Sequence, residues 1–245
     1  MSVLFLLLGL ATGSFLNLCI DRLPKGESII RPPSRCDVCQ HKLRPLDLVP
    51  LLSYLYLKGR CRYCGASIHY RVPLVEAMTG LIFLLLWNHY GFSIGLPLAL
   101  LFACLFMIIV VIDIKHHLIL NRVVYPAIAL AFLVPILIPN HGIISAIIGA
   151  VTGAGILLPL ALLFPGGMGM GDVKLAALIG LLLGFPQVFI SLLIAFVLGG
   201  AVAGGLLLAR LKGRKDPLPL APFLTAGLII TVLYGEEILR LYLRS

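Results

Sequence analysis

Long apolar runs separated by short polar joins dominate this chain. A run of about 20 apolar residues is long enough to cross a bilayer core as a helix. Such runs fall at 3–20, 73–91, 94–112, 123–138, 143–164, 174–185, 187–209 and 221–239. The pattern predicts an all-α polytopic membrane protein of about eight transmembrane helices. The sixth run is short and stops at Pro186, so a count of seven stays open. No basic segment precedes the first run, and basic residues follow it. It therefore reads as an uncleaved helix rather than a signal peptide. One long stretch, residues 21–72, breaks the apolar pattern. The expected organisation is a first helix at 1–20, a polar domain at 21–72, and a helical membrane domain at 73–245.

Composition agrees with the pattern. The chain of 245 residues is 60% hydrophobic and 12% charged, whereas soluble domains are about a quarter charged. Its net charge of +9 would suit nucleic acid in a soluble protein, but here its distribution gives topology instead. If the runs alternate across the membrane, 17 of the 19 Lys and Arg residues fall on one side, and only Arg240 and Arg244 lie elsewhere. The positive-inside rule makes that side cytoplasmic, with the N-terminus outside, as in a bacterial inner membrane. The basic charge then implies contact with anionic lipid, not with nucleic acid.

The polar stretch carries Cys36-Asp-Val-Cys39 and Cys61-Arg-Tyr-Cys64, each followed four residues later by an apolar residue, as in a small internal repeat. Two CxxC turns offer four thiolates for tetrahedral zinc, in the manner of a zinc ribbon. A reducing compartment argues against the alternative of disulfides. His41 and His69 are possible substitute ligands, although four cysteines already complete a structural site. Cys19 and Cys104 lie in apolar runs and read as packing residues.

From Glu76 to Ala209 the only charged side chains are Glu76, Asp113, Lys115, Arg122, Asp172 and Lys174. A carboxylate in or near hydrocarbon is costly and marks function by default. Asp113 ends the third run, and Asp172 opens the sixth within Gly166-Gly-Met-Gly-Met-Gly-Asp172-Val-Lys174. Both fall at the same membrane boundary. Two carboxylates brought together share one proton, and then serve as general base and general acid for hydrolysis. Glycines lack Cβ, so Gly166, Gly167, Gly169 and Gly171 would let an extended substrate backbone approach the acid. Plainer readings exist for each feature. Asp172 stands where a helix N-cap belongs, Lys115 and Lys174 suit snorkelling anchors, and Met168 and Met170 suit packing. Intramembrane acids also serve ion pathways. Glu76 is either interfacial or part of a site, and the sequence does not choose.

Taken together, these residues resemble the bacterial type IV prepilin peptidases, within the GxGD group of membrane aspartyl proteases that includes presenilin. The similarity runs from GSFLNLCIDRLP (13–24) through the cysteine-rich stretch 34–76, Asp113-Ile-Lys-His-His, Gly169-Met-Gly171-Asp172-Val-Lys174 and PLAPFL (219–224). It implies a bifunctional enzyme. The leader of prepilins and pseudopilins would be cleaved on the cytoplasmic side by Asp113 and Asp172, with Gly169, Gly171 and Lys174 in support. The new N-terminus would be methylated from S-adenosylmethionine, with Cys36, Cys39, Cys61 and Cys64 holding zinc in the loop associated with methyl transfer. No residue is assigned to the methyl donor. The chain departs from the family pattern at CDVC, DLVP (47–50), Leu120 and PLAPFL, none of which changes an aspartate or a cysteine. Two other classes compete with this one: an ion- or proton-coupled transporter using Asp113 and Asp172, and a zinc-ribbon membrane adaptor without catalysis. The sequence does not bear on the oligomeric state.

Overall fold

The computed structural model describes residues 1–138, 142–163, 168–211, 213 and 217–243. The expected glycines Gly166 and Gly167, and the basic residues Lys212, Arg214, Lys215 and Arg244, lie outside the described residues. The described chain is nearly all helical and contains no sheet. Its helices are α1 (Ser2–Arg22), α2 (Leu52–Tyr56), α3 (Arg71–Tyr90), α4 (Gly95–His116), α5 (Asn121–Ala131), α6 (Val134–Leu137), α7 (Ile143–Leu163), α8 (Met170–Leu183), α9 (Gln187–Leu208) and α10 (Ala221–Leu243). Short 3-10 turns occupy Leu23–Lys25 and Pro45–Leu48. Among the described residues, every predicted apolar run is mostly helical.

Among the described residues, six helices are long and apolar enough to cross a membrane: α1, α3, α4, α7, α9 and α10. Two of the eight expected spans differ. The run at 123–138 is divided into α5 and α6. Pro135 is the second residue of α6, and a proline cannot donate the amide bond that would continue the preceding helix. The sixth run forms α8, of 14 residues, which at about 1.5 Å per residue reaches only about 21 Å. Helix α8 is buried nearly all round, with Val173, Leu175, Ala176, Leu178, Ile179, Gly180, Leu181 and Leu183 covered. A helix enclosed by protein need not match the hydrocarbon thickness, because lipid does not wet its ends.

The chain divides into two compact units, Met1–Ile108 and Ile109–Ser245. In the first unit, α1 packs along α3. Small residues permit the approach: a Cβ on Gly13 would lie 2.7 Å from Glu76 Cα, and one on Gly9 2.8 Å from Gly80 Cα. In the second unit α8 is central, touching α5, α7, α9 and α10. Gly149 and Gly153 of α7 face Gly180 and Ala176 of α8 so closely that an added Cβ would collide with the opposing carbonyls. This is the small-residue packing that draws helices together in lipid, where the hydrophobic effect between them is weak. Gly149→Val is expected to force α7 from α8 at a cost of about 1–3 kcal/mol or more. A thermal melt in detergent would read this as a lowered midpoint, whereas Val151→Ala, on an exposed position of the same helix, should leave it unchanged.

Candidate functional site

The second unit holds both aspartates. Asp113 sits one turn before the end of α4 and is 5% exposed. Its Oδ2 accepts a hydrogen bond of 3.0 Å from the backbone N–H of Ala221. Ala221 opens α10, so this N–H has no partner within its own helix. The positive end of the α10 dipole is thus turned on the Asp113 carboxylate.

Asp172 is the third residue of α8. The helix starts at Met170 with Gly169 as N-cap, so Asp172 is not itself the N-cap that its sequence position suggested. It caps from within: its Oδ2 accepts the Gly169 N–H at 3.1 Å, while its own N–H donates to the Gly169 carbonyl at 3.1 Å. A carboxylate in the first helical turn complements the helix dipole. Asp113 lies near enough for its charge to act on Asp172. Three helix ends therefore meet: the last turn of α4 and the first turns of α8 and α10.

The neighbours of Asp172 serve distinct ends. Lys174 Nζ donates to Asn121 Oδ1 at 2.8 Å and lies 4.8 Å from the Tyr125 ring centroid. It is held within the unit by α5 rather than extended as a free anchor. Asn121 ends the stretch 113–121 that carries the resemblance around the first aspartate, whereas Tyr125 had no signal of its own in the sequence. Gly171 backs onto Ile119, whose Cβ would lie 2.7 Å from an added Cβ. Among the described residues, an added Cβ on Gly169 would meet only the Asp172 carboxylate at 3.5 Å and the Gly171 N at 3.8 Å, both ordinary contacts. The two glycines should therefore respond differently. Gly171→Ala is expected to lower the melting temperature and to be rescued by Ile119→Gly, which removes the opposing Cβ, and not by Ile119→Ala, which keeps it; Gly169→Ala should leave the melt unchanged. If Gly169→Ala alone abolishes turnover without affecting the melt, a substrate backbone passes over that residue.

The first unit holds the cysteines. The Sγ atoms of Cys36, Cys39, Cys61 and Cys64 all lie within 4.8 Å of one another, a group that could hold a metal ion. All four are free thiols. The repeat seen in sequence is a repeat in backbone. Cys36 N–H donates to His41 O and Gln40 N–H to Cys36 O, just as Cys61 N–H donates to Ala66 O and Gly65 N–H to Cys61 O. Isolated bridges Arg35↔Lys42 and Arg60↔Ser67 close the two turns. The residue after each second cysteine is left-handed, Gln40 at φ 56° and Gly65 at φ 72°, which glycine adopts at no steric cost.

The backbone N–H groups of Cys64 and Tyr63 turn toward Cys61 and hold its thiol down at about 7. The Ala66 N–H works in the same sense on Cys64, but desolvation and the neighbouring thiols push that group up to about 11. His41 stacks on Tyr63, with centroids 3.8 Å apart, and His69 Nδ1 accepts the Arg71 N–H. Neither is placed as a ligand.

Asp47 ties the Pro45–Leu48 turn to the second cysteine turn. It accepts the Arg44 N–H at 3.0 Å, Arg62 Nε at 2.7 Å and the Tyr63 hydroxyl at 3.0 Å. Desolvation opposes these bonds, but together they hold the Asp47 carboxyl below the usual carboxylate range. Glu76 is also engaged: it is 4% exposed and accepts the Leu51 N–H at 2.8 Å. The sequence left its role open, because the partner is a backbone amide 25 residues away.

Fold and site together define a helical polytopic membrane protein with two aspartates at helix ends in one unit and a four-cysteine loop in the other. Residues 7–90 match the bacterial peptidase A24 N-terminal domain, and residues 99–204 match the type IV leader peptidase family. A prepilin leader peptidase/N-methyltransferase of Bacillus subtilis is 34% identical over 247 residues, covering 100% of this chain and 98% of that one. Proteins with the same description from Pseudomonas aeruginosa and Aeromonas hydrophila are 32% and 33% identical, covering 98% and 99% of this chain and 92% and 93% of their own. The chain belongs to the type IV leader peptidase family. No solved structure matches it.

Proposed function

We propose that this protein removes the leader from type IV prepilins and pseudopilins with Asp113 and Asp172, and N-methylates the residue so exposed. The observation that supports this is that both carboxylates lie at helix ends of the second unit, with Asp113 near enough for its charge to act on Asp172. The ionised member takes a proton from water, and the hydroxyl oxygen bonds to the scissile carbonyl carbon. The protonated member donates its hydrogen to the carbonyl oxygen as charge develops there. Collapse of the tetrahedral species breaks the C–N bond, and a proton passes to the departing amine. The Ala221 and Gly169 N–H groups keep one oxygen of each carboxylate occupied, which orients the other for this work.

The ion-coupled transporter is not favoured. Such sites lie near the bilayer midplane at repeat interfaces, whereas these acids lie at helix ends. The adaptor leaves the paired aspartates without a role.

The loop side is taken as cytoplasmic, in the inner membrane with the N-terminus outside, on the distribution of Lys and Arg. The same charge suits anionic lipid. Residues 73–245 would do the proteolysis, with residues 21–72 serving methyl transfer. S-adenosylmethionine would supply an electrophilic methyl group, and we assign no residue to it. The metal is taken as zinc. Cys36 Sγ and Cys64 Sγ are 3.8 Å apart, and a tetrahedral site with Zn–S bonds of about 2.3 Å has an edge of about 3.8 Å. Zinc here would be structural, leaving no open position for substrate.

The test is purified protein in liposomes with a prepilin and S-adenosylmethionine, read by intact mass. Loss of the leader with gain of one methyl group is expected. Loss of the leader alone removes the second activity, and an unchanged substrate overturns the proposal.

A further inference from the structure

Helix α2 is short, but its place is unusual. The bond from Leu51 N–H to the Glu76 carboxylate fixes the start of α2 against α3. Glu76 lies five residues into that membrane-crossing helix, about 7 Å along its axis. Side chains on a helix lean toward its N-terminus, so the Glu76 carboxylate sits level with the first turn of α3. That turn begins at the Arg71–Asp21 ion pair of 2.7 Å, a charged pair suited to headgroup depth. Leu51 adopts φ 59° and ψ −47°, a conformation costly for a leucine and held here by the bond to Glu76. The chain is thereby turned so that α2 begins at the edge of the membrane rather than out in water.

The face that α2 presents is apolar. Leu52, Leu55 and Tyr56, at i, i+3 and i+4, are 66%, 70% and 80% exposed. Residues three and four apart share one helix face. Exposed cations Arg44, Lys58 and Arg60 lie on either side in sequence. The whole stretch 21–72 carries ten Lys and Arg against four Asp and Glu. An apolar face bordered by cations, at the level of a span's first turn, matches the boundary between headgroups and acyl chains of an anionic bilayer.

We propose that residues 45–57 form an interfacial segment that lays Leu52, Leu55 and Tyr56 into the headgroup–acyl boundary of the membrane crossed by α1 and α3. The segment anchors the cysteine-rich loop to the lipid surface at a second place, besides its two covalent ends. This assignment does not depend on the enzymatic reading.

The protein has a single tryptophan, Trp87, so Trp87→Phe leaves a silent background. Leu55→Trp and, separately, Tyr56→Trp place the probe on the exposed face, where a larger ring meets no packing. The full chain is reconstituted in phosphatidylcholine–phosphatidylglycerol vesicles. Both probes are expected to show blue-shifted emission, stronger quenching by lipids brominated near the carbonyl than deep in the chain, and little quenching by acrylamide. Quenching by acrylamide with no response to brominated lipid would overturn the proposal and place α2 in water. Protection from both quenchers would also overturn it, because protein would then cover the face. A change in either probe on adding prepilin, without any lipid quenching, would assign the face to substrate instead.

Discussion

Asp113→Asn and Asp172→Asn are each expected to reduce leader cleavage by about 10³-fold or more, the scale of a lost general acid or base. Asparagine is the informative replacement because it keeps the local structure. Its side-chain oxygen can still accept the Ala221 N–H at position 113 and the Gly169 N–H at position 172, bonds of 3.0 and 3.1 Å in the native chain. The starts of α10 and α8 therefore stay capped, and the thermal melt should move little. What is lost is the titrating oxygen. Neither single variant should be much better than the double, because the two groups act as a unit. Methylation of a pilin supplied already cleaved should continue in both. Full cleavage by either folded variant would remove that aspartate from the chemistry.

Loss of the proposed metal is the second large effect expected. Between residues 23 and 70 only Gly59 and Cys61 are buried, so this stretch has no apolar core to fold around. Structural zinc in small domains contributes apparent free energies of about 10–16 kcal/mol. Cys61→Ser, or prolonged chelation, is accordingly expected to abolish the fold of residues 34–68 while leaving the membrane helices intact. The readouts are metal content, falling from one ion per chain to none, and limited proteolysis, with new cuts confined to the loop. Retained protection after complete metal removal would mean that the hydrogen bonds of Asp47 and the two turns suffice alone. Asp47→Ala is a milder case: it releases Arg62 and Tyr63, which lie between Cys61 and Cys64 in the second cysteine turn. It should weaken metal retention about tenfold, the lower end of the usual effect of losing an outer-shell partner.

Much of the architecture was legible because membrane helices are written in composition. A residue in lipid must be apolar over the full thickness, and every backbone group must bond within its own helix. Apolar runs thus become helices whatever their neighbours. The paired CxxC repeat was equally legible, since ligand spacing and turn geometry are local. The exceptions have local and non-local causes. Pro135 divides the fourth run by a local rule that the run-length criterion overlooked. Helix α8 is shorter than a span because protein, not lipid, surrounds it, and enclosure cannot be read from hydropathy.

What the sequence by itself determined was therefore the long apolar helices, the cysteine turns and the two rare acids, each a property of residues close together in the chain. The tertiary structure alone decided which groups meet. It placed the Ala221 N–H on Asp113 across 108 residues, Asn121 on Lys174 across 53, and Leu51 on Glu76 across 25. It also put Gly149 against Gly180. In two of these pairs the partner is a backbone amide, which every residue but proline carries, and in the glycine pair it is the absence of a side chain. Such contacts leave no mark in residue type, and packing in three dimensions is what selects them.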